Sequence, residues 1–140
     1  MFNRKTQVMM AVLVLGVLAG AVGAVGQLPG LGTSTQIVIP SSEYRFLGEA
    51  EGWLSGDGNF DIYEQTLTGG RRYKFTLTGP WSADFDILIF DENENLVAKS
   101  VGVTSEEVVY ITPLWRGPFY IAVVSYDGRG SYVLRLYREI

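Results

Sequence analysis

Carboxylates and amides are the side chains through which this sequence could do chemistry, because it contains no Cys and no His. Their absence excludes Ser-His-Asp and Cys-His catalysis, thiolate metal sites and imidazole zinc sites. The hard oxygen ligands that remain favour calcium among the metals. The sequence therefore leaves two kinds of site to weigh, a carboxylate pair for acid–base catalysis and an oxygen-lined calcium site.

Two short stretches alternate acidic and amide side chains, as calcium loops do. They are residues 57–61 (DGNFD) and residues 91–95 (DENEN). The second begins like an EF-hand loop, but Leu96 holds its glycine position and Gly102 its final glutamate position, so it fails the loop requirement. Ordinary turns use the same residue types. No cofactor is certain from the sequence; calcium is the one it allows. The predicted calcium ligands are Asp57, Asn59 and Asp61.

The carboxylate pair, Asp84 and Asp86, occupies positions i and i+2. On a strand this spacing places both side chains on one face, roughly 6–7 Å apart. Glycosidases use two carboxylates at such separations. Aspartates at the start of a strand more often accept hydrogen bonds from turn amides, and we favour that interpretation here. The sequence predicts no catalytic residue and no enzymatic activity.

Short β-strands are the elements that must position these residues. Residues 83–91 (ADFDILIFD) have a period of two with apolar side chains on both faces, which is typical of a strand covered on both sides. The polar residues 91–95 then turn the chain into a second strand, which predicts a central hairpin. Gly69-Gly70 predicts another hairpin, between the strands before and after it.

About eight short strands with Gly-rich turns follow one another after residue 36, and no stretch after residue 26 has a helical period. This pattern predicts an all-β fold, a β-sandwich or a barrel, and we expect a single antiparallel β-sandwich. Alternation also predicts which side chains face its core. The predicted inward residues are Tyr73, Phe75, Leu77, Phe85, Ile87, Ile89, Ile121, Val123, Leu134 and Leu136.

The N-terminal segment, residues 1–26, has the pattern of a targeting sequence. Arg4 and Lys5 precede an apolar run of 18 residues whose second half is rich in Gly and Ala. We predict a secretory signal peptide cleaved near Ala24 or Gly26. The alternative is a retained hydrophobic helix of about 27 Å that anchors the chain in a membrane. Either outcome places the rest of the chain outside the cytoplasm.

Beyond this segment, residues 27–35 (QLPGLGTST) have the composition of a linker, and residues 36–140 are the predicted domain. The formal net charge of the chain is −4. An acidic surface repels phosphates, so a nucleic-acid partner is not expected.

The chain contains three Trp, and each falls at a turn or a strand end. We predict that Trp53 and Trp81 plug the open ends of the sandwich. For Trp115 a plug and an exposed contact remain equally open, since exposed Trp stacks on sugars or forms protein hot spots. The candidate binding residues are therefore Trp115 and its neighbour Arg116.

Residues 46–137 resemble the pre-peptidase C-terminal domain of bacteria and archaea, through an ordered set of short motifs. The matching stretches are Asp61-Ile62-Tyr63, Gly70 with residues 73–77, residues 84–91, Leu96-Val97, residues 113–123 and residues 130–134. The resemblance implies a jelly-roll-like β-sandwich that is secreted and has no catalysis of its own. Leu114-Trp115-Arg116 departs from the family, which has small or acidic residues at this turn.

Together these observations predict a non-catalytic extracellular binding or adhesion module that contacts a polysaccharide or a protein. The alternative is a structural subunit that associates with itself into a surface layer or filament. A membrane is a partner only where the N-terminal segment is retained.

Overall fold

The computed structural model of this protein describes residues 3–4 and 43–140. Within those residues it places nine strands. They are β1 (Asn3–Arg4), β2 (Tyr44–Leu54), β3 (Phe60–Leu67), β4 (Tyr73–Thr78), β5 (Asp84–Phe90), β6 (Leu96–Ser100), β7 (Glu107–Ile111), β8 (Gly117–Asp127) and β9 (Gly130–Glu139). The predicted leader apart from Asn3–Arg4, the predicted linker and residues 36–42 lie outside the described residues.

The strands form two antiparallel sheets. Sheet A has the order β1-β3-β8-β5-β6, and sheet B has the order β2-β9-β4-β7. Every regular element of the described residues is a strand, so the predicted all-β sandwich is confirmed. A search of the described residues for a helix of membrane-spanning length and hydropathy finds none. The predicted N-terminal helix falls outside this part of the chain.

The main core lies between the two sheets and follows from the alternation of each strand. All ten side chains that the sequence predicts to face inward are buried in one cluster, together with Leu54, Leu67 and Tyr132. Because side chains alternate between the two faces of a strand, every second side chain of β4, β5, β8 and β9 lies in this core. The predicted core is therefore confirmed.

A second apolar cluster occupies the opposite face of sheet A. It contains Phe60, Ile62, Leu88, Phe90, Ala122 and Val124. Leu88 and Phe90 belong to β5, whose other face lies in the main core, and both are fully buried. The prediction that both faces of β5 are covered is confirmed.

The prediction of a hairpin at Gly69-Gly70 is wrong. The strand before it, β3, belongs to sheet A, whereas the strand after it, β4, pairs with β7 and β9 in sheet B. The turn instead carries the chain from one sheet to the other. Gly70 has a φ of 74°, which suits glycine, and its amide donates to the carbonyl oxygen of Pro113 at 2.8 Å.

The central hairpin, by contrast, joins β5 to β6 within sheet A and is confirmed. Asp91 organises its turn, since its Oδ1 accepts hydrogen bonds from the amides of Asn93 and Asn95, both at 2.9 Å. Burial alone would raise the pKa of Asp91, but the hydrogen bonds from Asn95 and Asn93 hold it below its usual value. The carboxylate of Asp91 therefore stabilises the turn of its own hairpin.

The loops gather at two opposite rims of the sandwich. One rim, called the acidic rim here, consists of residues 55–59, 79–83, 101–106 and 128–129. The other, the Trp115 rim, consists of residues 68–72, 91–95 and 112–116. β8 runs from the Trp115 rim to the acidic rim, which separates Trp115 from Tyr126 and Arg129 by the length of that strand.

Candidate functional site

The backbone of Trp115 is fixed against the neighbouring loop. A Cβ added to Gly69 would lie 2.9 Å from the Cα of Trp115, and the bond from Gly70 to Pro113 ties the same two loops together. The Trp115 side chain nevertheless remains 42 % exposed. A large aromatic ring on a fixed backbone loses little conformational entropy when it is covered by a ligand.

Trp115 borders a cavity of about 290 Å³ at the side of the sandwich, where β6 of sheet A faces β7 of sheet B. The residues that line it are Val97, Tyr110, Ile111, Thr112, Pro113, Leu114, Trp115 and Phe119. Leu114 stands 88 % exposed beside it. Arg116 is exposed but does not line the cavity. We call the cavity with Leu114 and Trp115 the Trp115 surface.

An aromatic row on the outer face of sheet B leads to this surface. Phe46, Tyr137, Lys74 and Tyr110 lie in register across all four strands of the sheet. The Phe46 and Tyr137 rings meet edge to face with centroids 5.6 Å apart. Lys74 Nζ lies 4.5 Å from the Tyr137 ring centroid, which satisfies the ammonium by a cation–π contact. Tyr110 belongs both to the row and to the cavity wall.

The prediction that Trp53 and Trp81 plug the sandwich is wrong. Trp53 is 57 % exposed and Trp81 is 96 % exposed, both near the acidic rim. Smaller side chains close the core at this end, since Leu54 and Ala83 are buried there. Trp53 precedes the buried Leu54 by one position, and Trp81 precedes the buried Ala83 by two.

Each of the three predicted calcium ligands is bonded to a protein donor. Asp57 Oδ1 accepts from the amide of Gly128 at 2.8 Å, and Asn59 Oδ1 accepts from the amide of Ser55 at 3.1 Å. Asp61 is buried, and its Oδ2 accepts from the hydroxyl of Tyr132 at 2.6 Å. These bonds tie the acidic rim together, and calcium at Asp57, Asn59 and Asp61 stays a prediction.

Tyr132 stands at the centre of a buried polar network beneath that rim. Its hydroxyl donates to Asp61 and shares a second hydrogen bond with the hydroxyl of Tyr63. Burial, together with the bonds to Asp61 and Tyr63, raises the pKa of Tyr132 far above its ordinary value. Tyr132 therefore stays neutral and acts as a structural donor within the core.

Three carboxyl groups converge beside the acidic rim, although the sequence predicts only two of them as a pair. Asp84, Asp86 and Glu107 each place one oxygen so that all three atoms lie within 4.8 Å of one another. We call these residues the carboxylate cluster. Burial and the neighbouring charges of Asp84 and Glu107 raise the pKa of Asp86 to about 7. Burial, Glu107 and Asp127 also raise the pKa of Asp84.

The strand pattern carries a signal for Glu107. β7 reads EVVYI, and its odd positions Glu107, Val109 and Ile111 are the buried ones. A charged residue on the same buried face of a strand as apolar residues is unusual, and its charge needs a hydrogen-bonding or charged partner. Asp84 and Asp86 are predicted to accept hydrogen bonds from turn amides. Their Oδ1 atoms do not, because these atoms have no hydrogen-bond partner within residues 3–4 and 43–140.

Comparison with known proteins supports the fold. No family model matches the chain, and no curated protein matches it in sequence. Among solved structures, the pre-peptidase C-terminal domain of collagenase from Bacillus anthracis is similar, with a TM-score of 0.55 and 18 % identity. The match covers 64 % of this chain and 87 % of that one. The chain has a pre-peptidase C-terminal-like fold. The resemblance stated from the sequence is thereby confirmed for the architecture.

Proposed function

We propose that this chain is a non-catalytic binding module that acts outside the cytoplasm and contacts a polysaccharide or a protein through the Trp115 surface. The observation that carries the proposal is the half-exposed ring of Trp115 beside a mainly apolar cavity of about 290 Å³. Exposed apolar surface with a rigid aromatic anchor is the usual composition of a binding hot spot.

The fold supports the non-catalytic part of this proposal. Pre-peptidase C-terminal domains, which the chain resembles, are accessory domains of secreted hydrolases without catalysis of their own. The absence of His and Cys removes the commonest nucleophile–base pairs from the whole chain. Among the described residues that line the cavity, Tyr110 is the one titratable side chain, which fits binding better than catalysis.

Self-association through strand edges is the alternative function, and the shape of β2 weighs against it. β2 is an edge strand of sheet B, and it carries a register shift between Phe46 and Gly48. Arg45 and Glu49 add charge along the same edge. Bulges and charged side chains are the features with which natural sheets prevent edge-to-edge pairing.

Replacing Trp115 with alanine is expected to weaken binding by about 2 kcal/mol or more and to leave the melting temperature nearly unchanged. The measurement is co-sedimentation of the purified protein with insoluble cellulose, chitin and fibrillar collagen, together with a thermal melt. Cellulose and chitin report a polysaccharide ligand, and collagen reports a protein ligand.

Trp81→Ala is the matched control, because this Trp is more exposed but lies at the opposite rim. It is expected to bind like the parent protein. An equal loss in Trp81→Ala would show that the contact is not on the Trp115 surface. A large drop in the melting temperature of Trp115→Ala would show that this ring is part of the core.

Processing of residues 1–26 decides whether the module is released or stays tethered to the membrane. N-terminal sequencing of the exported protein is expected to begin directly after Ala24 or Gly26. Recovery of exported protein that still begins at Met1 would instead favour the membrane anchor, and with it a tethered module.

A further inference from the structure

The carboxylate cluster lies at the start of β5, where one edge of the strand has no strand beside it in the described part of the chain. β6 pairs only with residues 87–90, so the first half of β5 lacks a β6 partner. Ser105 takes that place: its Oγ accepts from the amide of Phe85 at 3.1 Å and donates to the carbonyl oxygen of Ala83 at 2.8 Å. This buried contact holds residues 101–106 against β5 and brings Glu107, two residues further on, to the side chains of β5.

Glu107 is itself held in a fixed orientation. Its Oε1 accepts from the amide of Gly102 at 2.7 Å, and its Oε2 accepts from the hydroxyl of Ser100. A Cβ added to Gly102 would lie 2.6 Å from Glu107 Oε1, so the loop closes tightly around this carboxyl group. Each carboxylate oxygen has a second lone pair, which leaves Glu107 able to bind one more group.

Asp86 is the most deeply buried carboxyl group of the cluster. It is only 3 % exposed, yet its Oδ1 has no hydrogen-bond partner among the described residues, and Oδ1 of Asp84 is likewise buried without one there. Among the described residues no Lys or Arg forms an ion pair with the cluster. Buried carboxylates without donors or counter-charge are costly and are normally paired or bound to a metal.

We propose that Asp84, Asp86 and Glu107 form a calcium-binding site. Oxygen atoms on opposite sides of a calcium ion bound at about 2.4 Å are about 4.8 Å apart, and the three carboxyl oxygens lie within that span. Carboxylates are the ligands that calcium prefers, and waters complete its shell of six to eight oxygens. Asp84 is the partly exposed member, so it marks the side from which ion and water enter.

The site differs from the one predicted at Asp57, Asn59 and Asp61, and the two make opposite predictions for variants. The full chain is titrated with calcium chloride by isothermal calorimetry, and thermal melts are recorded with calcium and with chelator. Calcium is expected to bind and to raise the melting temperature, because a ligand specific to the native state stabilises it. Asp86→Asn is expected to lower the calcium affinity by about tenfold or more, because it removes a ligand charge.

The melt in chelator separates loss of the site from loss of the fold. Asp86→Asn removes a buried charge from between two other carboxylates, so its melting temperature in chelator is expected to equal or exceed that of the parent protein. Glu107→Gln tests the same site from β7 and is expected to lose calcium affinity as well. Asp57→Asn is the matched control and is expected to retain it.

Three results would overturn the proposal. They are the absence of calcium binding to the parent protein at millimolar concentration, unchanged affinity in both Asp86→Asn and Glu107→Gln, and loss of affinity in Asp57→Asn alone. The last would place the ion at the turn that the sequence predicts.

Discussion

Replacing Ile87 with alanine is expected to lower the free energy of unfolding by roughly 2–5 kcal/mol. Ile87 is fully buried on β5, where it lies opposite Val123 of β8 and Ser100 of β6. Its neighbours are strands on both sides and a second sheet in front, so they cannot move in to fill the space left by the missing atoms. Unfolding in urea, followed by Trp fluorescence, measures the change.

Two further variants serve as comparisons for the stability loss of Ile87→Ala. Ile87→Val removes a single methylene group and is expected to cost about 0.5–1.5 kcal/mol. Val103→Ala removes two methyl groups from a side chain that is 89 % exposed, and it is expected to change stability by no more than about 0.5 kcal/mol. A loss near zero for Ile87→Ala would contradict its place in the core.

The sequence predicts the core well because alternation is a local property. In β4 and β9, one apolar side chain at every second position is enough to decide which face of the strand is buried. Apolar residues on both faces of β5 likewise identify it as a covered strand. These predictions need no knowledge of which strand lies beside which.

Strand pairing is where local patterns fail. Gly69-Gly70 has the residue types of a hairpin turn, but a loop that crosses between sheets needs the same freedom in φ. What decides the path is the contact of this turn with Pro113 and Trp115, more than forty positions away. In the same way, Leu54 and Ala83 are the buried residues near the acidic rim, whereas Trp81 is exposed, and the residue types alone do not reveal this.

The carboxylate cluster could be predicted only in part. Asp84 and Asp86 are visible as a pair in the sequence, but Glu107 joins them only because Ser105 attaches its loop to β5. Strands β5 and β7 belong to different sheets, and neither segment alone determines how they are placed relative to each other. The inward position of Glu107 in β7 is the one local sign of the site.

Replacing Gly52 with alanine is the second substitution expected to have a large effect, roughly 1–3 kcal/mol of lost stability. Gly52 of β2 lies opposite Tyr132 of β9, and an added Cβ would lie 2.3 Å from both Cζ and the hydroxyl oxygen of Tyr132. The ring cannot move away without cost, because its hydroxyl is bonded to Asp61 and Tyr63.

Comparison with two other variants tests this explanation by chemical unfolding. Gly117→Ala adds the same methyl group where the nearest side-chain atom is 3.4 Å away, an ordinary contact, and is expected to change stability little. In the Tyr132→Phe background the hydroxyl and its bonds are absent, so the ring can shift and Gly52→Ala is expected to cost less than in the parent protein. Equal costs in the two backgrounds would show that the hydroxyl network does not hold Tyr132 over Gly52, and that the penalty arises from the backbone of β2 alone.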